Sequence, residues 1–451
     1  MFPPDHALRA TLADEVHARP PEPMQAPARA SYVAVLLSAD KRTREVAHIA
    51  ALCAMHGVEP PAAGATHFRT PLGPLRLKWE RHGEFSGYTV IAPGLGARPF
   101  DGVAAAGLPP HWLAAIPGAT VAAVHAELHP RRAFDENPQA LAGVLASIFD
   151  GQAVVGSDIA EGAGSVYTDF RLHQGCTRFL LVDHDLTERQ GGRTLQRLFE
   201  IEAYRLMALL ALLIARRQSP RIVEIETALD ALTDSIAQAH VSNASTHSGA
   251  NAGASAGAED EALLQELTRL AAEVESGLAA SQFRFGACRA YYELVMRRVA
   301  ELRETRLPGM QTLDEFMARR FTPAVATCTT VSQRLYDLSE RVAQASSLLS
   351  TRGDIARERQ NQSLLASMNR RAQMQLRLQQ TVEGLSVAAI SYYLVGLVGY
   401  AAKGLKAADV PVNADLAMGL SIPVVALVVM VALRRARRRL AAQDDAPAPP
   451  A

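Results

Sequence analysis

Two apolar runs near the C-terminus constrain this chain more than any other feature. Leu385 to Ala402 and Leu416 to Leu433 each hold 18 residues without a charge. As helices each would rise about 27 Å, close to the ~30 Å hydrocarbon thickness of a bilayer. The second run ends in Arg434, Arg435, Arg437, Arg438 and Arg439, with only a polar tail after it. The expectation is two C-terminal transmembrane helices within 385–433, with the lipid bilayer as partner. Arg370, Arg371 and Arg377 precede the first run, and Lys403 and Lys406 are balanced by Asp409 and Asp415 between the runs. The positive-inside rule then predicts an outer loop at 403–415 and both termini in the cytosol. Met1 to Ala30 contains no apolar run of a secretory signal. A multi-pass protein of a bacterial inner (cytoplasmic) membrane follows, with a basic and then disordered cytosolic tail at 434–451.

Ahead of those runs, residues 186–384 read as a long helical stalk region. Leu186 to Arg217 has helical periodicity, with Arg193, Arg197, Glu200, Glu202 and Arg205 spaced for pairs along it. Pro220 is expected to end this helix, and Arg221 to His240 to form a second. The segment 241–260 is rich in Ala, Ser and Gly and reads as a flexible linker. Helix resumes from Glu261 to about Arg306 and again over Met310 to Gly384. Steps of three and four from Asn361 pass through Leu365, Met368, Ala372, Gln375, Gln379, Val382 and Ser386. A coiled-coil stalk would want aliphatic residues at most of these positions. The amides suit register fixing or a wet axial path in a homo-oligomer, which makes Asn361, Gln375, Gln379 and Ser386 the pore-lining candidates.

Residues 1–185 change period. SYVAVLLS reads as a buried strand followed by a helix through about Cys53 to His56. THFRT, LRLKWER and FSGYTVIA form short runs broken by Pro71, Gly73, Pro74 and Gly83, the pattern of a meander. TVAAVHAELH, QAVVGSDIA, SVYTDFRLH and RFLLVDHD add strands. The fold class is α+β: a strand-rich cytosolic domain with a mixed or antiparallel sheet, the stalk region, and the two spans.

Three clusters in this domain could carry chemistry. His125, Glu127 and His129 alternate along one strand and so share a face, which makes them metal-ligand candidates for a divalent cation; an exposed polar strand face is the plainer reading. Asp183, His184 and Asp185 stand where a strand meets a helix, with Asp185 the expected cap and Asp183 a second cation candidate. Trp79, Glu80, Arg81 and His82 surround a tight turn, where charges usually pair with each other or with water. HARP, His17 to Pro20, is a recognition loop or an ordered turn. No GxGxxG, P-loop or GxSxG stands in the right context, and no nucleophile–base pair is visible, so nothing here announces an enzyme.

Charge and cysteine content exclude more than they assign. Forty-six basic residues balance 46 acidic ones, which gives no reason to expect a nucleic-acid partner. All but four of the basic residues are arginine, so an arginine cluster says less about phosphate than it would in a lysine-rich chain. Cys53, Cys176, Cys288 and Cys328 are far apart and form no CxxC pair, which fits reduced thiols rather than a disulfide framework.

HARP, RLKWERHGEF, QRLFEIEAYRLMALLAL, RFGACRAYYELV, QNQSLLASMNRRAQMQLRLQQTVEGLS and AISYY resemble the bacterial domain-of-unknown-function family 3422 over nearly the whole chain. The resemblance implies a membrane protein without a known activity, and it transfers no site residue. The order of a strand-rich domain, a helical region, a stalk and two C-terminal spans also looks like the CorA-type magnesium channels. That family has Gly-Met-Asn after its first span, and here the chain reads GYAAKGLK.

Three functional expectations result. The first is a homo-oligomeric, CorA-like ion channel or transporter. The second is a membrane-tethered scaffold or sensor, and the third a metal-dependent enzyme built on His125.

Overall fold

The computed structural model describes residues 3–10, 12–13, 20–135, 138–245, 250–407 and 414–444. They fall into two units, Met1–Ser347 and Leu348–Ala451. His17, Ala18 and Arg19 of HARP lie outside the described residues.

The first unit is built on one ten-stranded sheet. Its strands are β1 (Ala28–Leu36), β2 (His67–Leu72), β3 (Leu75–Arg81), β4 (Phe85–Pro93), β5 (Ala119–Pro130), β6 (Val155–Ile159), β7 (Gly164–Thr168), β8 (Leu172–His173), β9 (Cys176–Asp183) and β10 (Thr305–Arg306). They lie in the order β10-β6-β7-β9-β5-β1-β4-β3-β2, with β8 beside β9. Among the described strands only β5 and β9 pair parallel, and every other ladder is antiparallel, with one isolated parallel bridge between Val155 and Gln311. The expected mixed α+β sheet is there, and β2 to β4 form the meander.

Strand alternation gives the sheet two apolar faces. On one, Val35, Leu77, Trp79, Tyr88 and Val90 pack against Ile49, Leu52 and Cys53 of α1 (Arg42–His56). Gly57 ends that helix in the left-handed region at φ 67°, where a Cβ would be strained. Leu180 and Val182 continue the same face under α2 (Pro138–Ile148), packing on Leu145, Ile148 and Phe149. On the opposite face Tyr32 stacks on Phe199 of α3 (Glu188–Ser245), ring centroids 5.1 Å apart.

Helix α3 departs from expectation in two places. It runs through Pro220 instead of ending there; packing on both sides of the proline outweighs the one ladder bond that the ring removes. Its start is capped by Thr187, not Asp185. Gln190 N–H donates to Thr187 Oγ1 at 3.3 Å, while Gln190 Oε1 accepts from Thr187 N–H at 2.9 Å, a reciprocal capping box. Asp183 serves the same turn by accepting from Leu186 N–H at 2.7 Å.

The partner of α3 is α4 (Ala250–Glu301). Helix therefore enters the 241–260 segment from both sides, to Ser245 and from Ala250, and residues 246–249 lie outside the described residues. After α5 (Leu313–Phe316) a π-helical turn over Met317–Phe321 leads without a break into helix α6 (Thr322–Ala407), and Pro323 follows directly on that turn. Phe321, Val325, Cys328, Val331, Leu335, Leu338, Val342 and Ala345 are buried in steps of three and four, a heptad seam. Arg334 pairs with Glu226 of α3, and Ser339 Oγ donates to Glu275 of α4 at 2.6 Å.

The second unit holds the rest of α6 and α7 (Ala414–Asp444). The two helices approach at Gly399: a Cβ there would stand 2.6 Å from Met418 Sδ, so the methionine side chain would have to shift to admit one. At Gly396 nothing lies within 4 Å.

The expected membrane topology does not hold. Among the described residues no helix is long and apolar enough to cross a membrane. The two spans, the outer loop 403–415 and the inner-membrane location with both termini cytosolic fall with this finding. What stands is a mixed sheet domain and a helical C-terminal region.

Candidate functional site

His125, Glu127 and His129 do share one face of β5, as strand alternation requires, and each already has a partner. Ser31 Oγ accepts from the Ala105 N–H at 3.0 Å and lies 2.9 Å from His125 Nδ1. Glu127 Oε1 accepts from the Phe100 N–H at 2.7 Å, and its Oε2 stands 2.8 Å from His129 Nε2. Burial, with the Arg178 guanidinium adding to it and Glu127 opposing, holds His125 down at about 4. Its imidazole is therefore neutral near pH 7, and its Nδ1 shares a hydrogen bond with Ser31 Oγ. Among the described residues no group of three or more His, Cys, Asp or Glu is placed to hold a metal ion. These three side chains fasten β5 to β1 and to the loop around Phe100.

The second cluster is equally self-contained. Ser165 Oγ donates to Asp158 Oδ1 at 2.6 Å and stands 3.2 Å from His184 Nε2, while His184 Nδ1 donates to the Gly162 carbonyl. A serine beside a histidine suggests a nucleophile. Here the hydroxyl proton is directed to Asp158 and the serine is buried, so no substrate reaches it.

In the third cluster Trp79 and Arg81 both reach the buried Glu45, Lys78 Nζ lies 3.0 Å from Glu80 Oε1, and His82 stacks on Phe85 at 4.3 Å. Glu80 opens onto a cleft beneath α3, lined also by Glu22, Tyr32, Lys78, Gln196 and Glu200. The space is only about 30 Å³, room for a water molecule. Most of its polar groups pair with one another, while Glu22 Oε1 is buried without a hydrogen-bond partner among the described residues. Lys78 Nζ donates to Gln196 Oε1 at 3.2 Å and Gln196 Nε2 to Glu200 Oε1 at 2.7 Å. Glu200 pairs with Arg298, which donates to both oxygens of Glu301, and Arg197 reaches Glu301 at 3.0 Å. Tyr32 is kept un-ionised by burial and by the nearby Tyr204, Glu80 and Glu200. This relay stitches β3 to α3 and α3 to α4.

A larger recess, about 320 Å³, lies at the start of α3. Gln190, Arg193, Thr194 and Arg197 reach it from α3, Glu301 and Arg303 from the end of α4 and beyond, and Ala160 from the turn after β6. Sequence reading placed Arg193 and Arg197 only as pairing residues along a helix. The signal that could have exposed the recess is the Thr187/Gln190 capping box, which fixes where α3 begins and so which arginines its first turns present.

The pore-lining candidates lie in the second unit. Asn361, Gln375 and Gln379 are exposed on α6, and the side chain of Ser386 lies outside the described residues.

Residues 4–440 match the family model described as "Protein of unknown function (DUF3422)". No curated protein and no solved structure matches the chain, so the CorA-type likeness gains no support. Because the matched residues run through the sheet domain and the helical region alike, this chain belongs to the DUF3422 family.

Proposed function

We propose that this protein is a homo-oligomeric scaffold whose copies assemble through the α6 segment of the second unit. One observation carries the reading: every side chain from Asn361 to Gln379 is exposed. That is about five turns of helix exposed on every side. An isolated helix of this length is marginal in water, because most helical stability in proteins comes from packing an apolar face. The face is there, since Leu364, Leu365, Met368, Met374, Leu376 and Leu378 are all exposed. A second copy supplies a matching surface automatically, as a two-fold contact is self-complementary. Amides at Asn361, Gln375 and Gln379 on the same helix suit a seam whose register is fixed by polar pairs.

The test is the mass of the intact chain by sedimentation equilibrium in detergent-free buffer and, separately, with phosphatidylcholine vesicles. A dimer or higher oligomer that dissociates on Leu365→Asn with Met368→Asn supports the proposal. A monomer at micromolar concentration, an oligomer indifferent to those substitutions, or flotation with vesicles in place of self-association would overturn it.

A further inference from the structure

We propose that the recess at the start of α3 binds the phosphoryl group of a small organic phosphate, with Arg193 as its principal ligand. The inference stands independently of how copies assemble. Four points carry it.

The recess has unspent positive charge. Arg193, Arg197 and Arg303 line it with Glu301 as the only carboxylate among the lining residues. Arg197 is held by Glu301, which Arg298 also uses, and Arg303 is paired with Glu161. Among the described residues Arg193 has no ion-pair or hydrogen-bond partner. The point is its position, not the abundance of arginine in the chain.

Arg193 and Arg197 are also one turn apart on α3, where like charges repel. An anion lodged between them turns that repulsion into two attractions. Phosphoryl oxygens suit this arrangement, since a guanidinium presents paired N–H donors at their spacing.

Next to the arginines stands a polarised amide. Gln190 Oε1 accepts both the N–H and the hydroxyl of Thr187, at 2.9 and 2.8 Å, which leaves its NH2 end to donate.

The backbone around the recess is held in an unusual conformation. Ala160, Glu161 and Arg303 all adopt left-handed φ, at 52°, 62° and 53°, and the Ala160 N–H is tied to the Leu302 carbonyl at 2.8 Å. Side chains other than glycine rarely adopt this region, and such residues collect at ligand sites. The volume of about 320 Å³ exceeds what a bare phosphate needs and is of the size that takes a small organic ligand.

Isothermal titration of the full-length protein with inorganic phosphate, AMP and adenosine tests this. The expected result is one saturable site for which phosphate and AMP compete, with AMP tighter and adenosine silent. Arg193→Glu should weaken AMP at least tenfold and Arg193→Lys less, while Arg217→Glu, an exposed arginine farther along α3, should leave affinity unchanged. Circular dichroism of each variant should match the parent, because Arg193 is exposed and supports no packing. No saturable binding of either phosphate or AMP, adenosine binding as well as AMP, or equal loss in Arg193→Glu and Arg217→Glu would each overturn the proposal.

Discussion

Trp79 Nε1 donates to Glu45 Oε1 at 2.9 Å inside the core between the sheet and α1, with both side chains sealed from solvent. The same oxygen accepts from Tyr88 OH at 2.7 Å, and Arg81 approaches the other oxygen at 3.4 Å. A carboxylate with three donors is one that burial tolerates; three donors without it are not. Glu45→Ala should therefore cost about 3 kcal/mol or more, read as a large drop in melting temperature. Glu45→Gln, which keeps an acceptor for Trp79 and Tyr88, should cost clearly less. Equal losses in the two variants would show that volume, not hydrogen bonding, matters at this position.

Two glycines in helices should respond to alanine with opposite signs. A Cβ on Gly192 would lie 1.9 Å from the Glu22 carbonyl oxygen, whereas one on Gly286 of α4 meets nothing within 4 Å. Alanine is favoured over glycine inside a helix by roughly 1 kcal/mol. Gly286→Ala should accordingly raise the melting temperature slightly. Gly192→Ala should lower it and loosen the strand-like segment at Glu22 to Met24, which is anchored by Met24 N–H on the Glu188 carbonyl at 2.9 Å. Proteolysis near Met24 provides the second readout.

His125 should make stability depend on pH within a defined window. Its folded value of about 4 lies below the ordinary value near 6.5. Between these values the unfolded chain binds a proton that the folded chain does not, so stability falls as pH drops from about 6.5 to about 4 and is unaffected above that range. The contribution is on the order of 3 kcal/mol. Melting temperatures of the parent and His125→Gln should converge on acidification, since glutamine retains an acceptor for Ser31 without titrating. A gap that stays constant from pH 7 to pH 4 would refute the assignment.

The four thiols should separate into two classes toward a disulfide reagent. Cys53, Cys288 and Cys328 are buried, and Cys176 is half-buried on β9. Cys176 should react first, slowly, because burial raises its thiol above the ordinary range and Arg178 only partly offsets this. The remaining three should react only on unfolding.

How much of this was legible in the sequence follows the length scale of each interaction. The strands from Ser31 onward, the meander at Thr66 to Ala92 and α1 were readable because period-two alternation is a local property. Glu45 was not, because its three partners come from β3 and β4, 34 to 43 positions later. Continuity of helix through Pro220 was missed because a proline's local penalty is visible, while the packing that offsets it is contributed by α4 and α6. The recess escaped for the same reason: Arg193 and Arg303 are neighbours only once the α3–α4 hairpin closes. The two apolar runs show length, lack of charge and basic flanks, all local properties, yet among the described residues no helix is long and apolar enough to cross a membrane.

Helix α3 begins at the recess of about 320 Å³ and then continues as one element to Ser245. Over its 58 residues a rigid rod would rise about 87 Å. A tilt of 2° at its base would swing the far tip by about 3 Å. Pro220 is the weak joint of this lever, so its bending, more than any change in the sheet, determines how much of the swing reaches the tip.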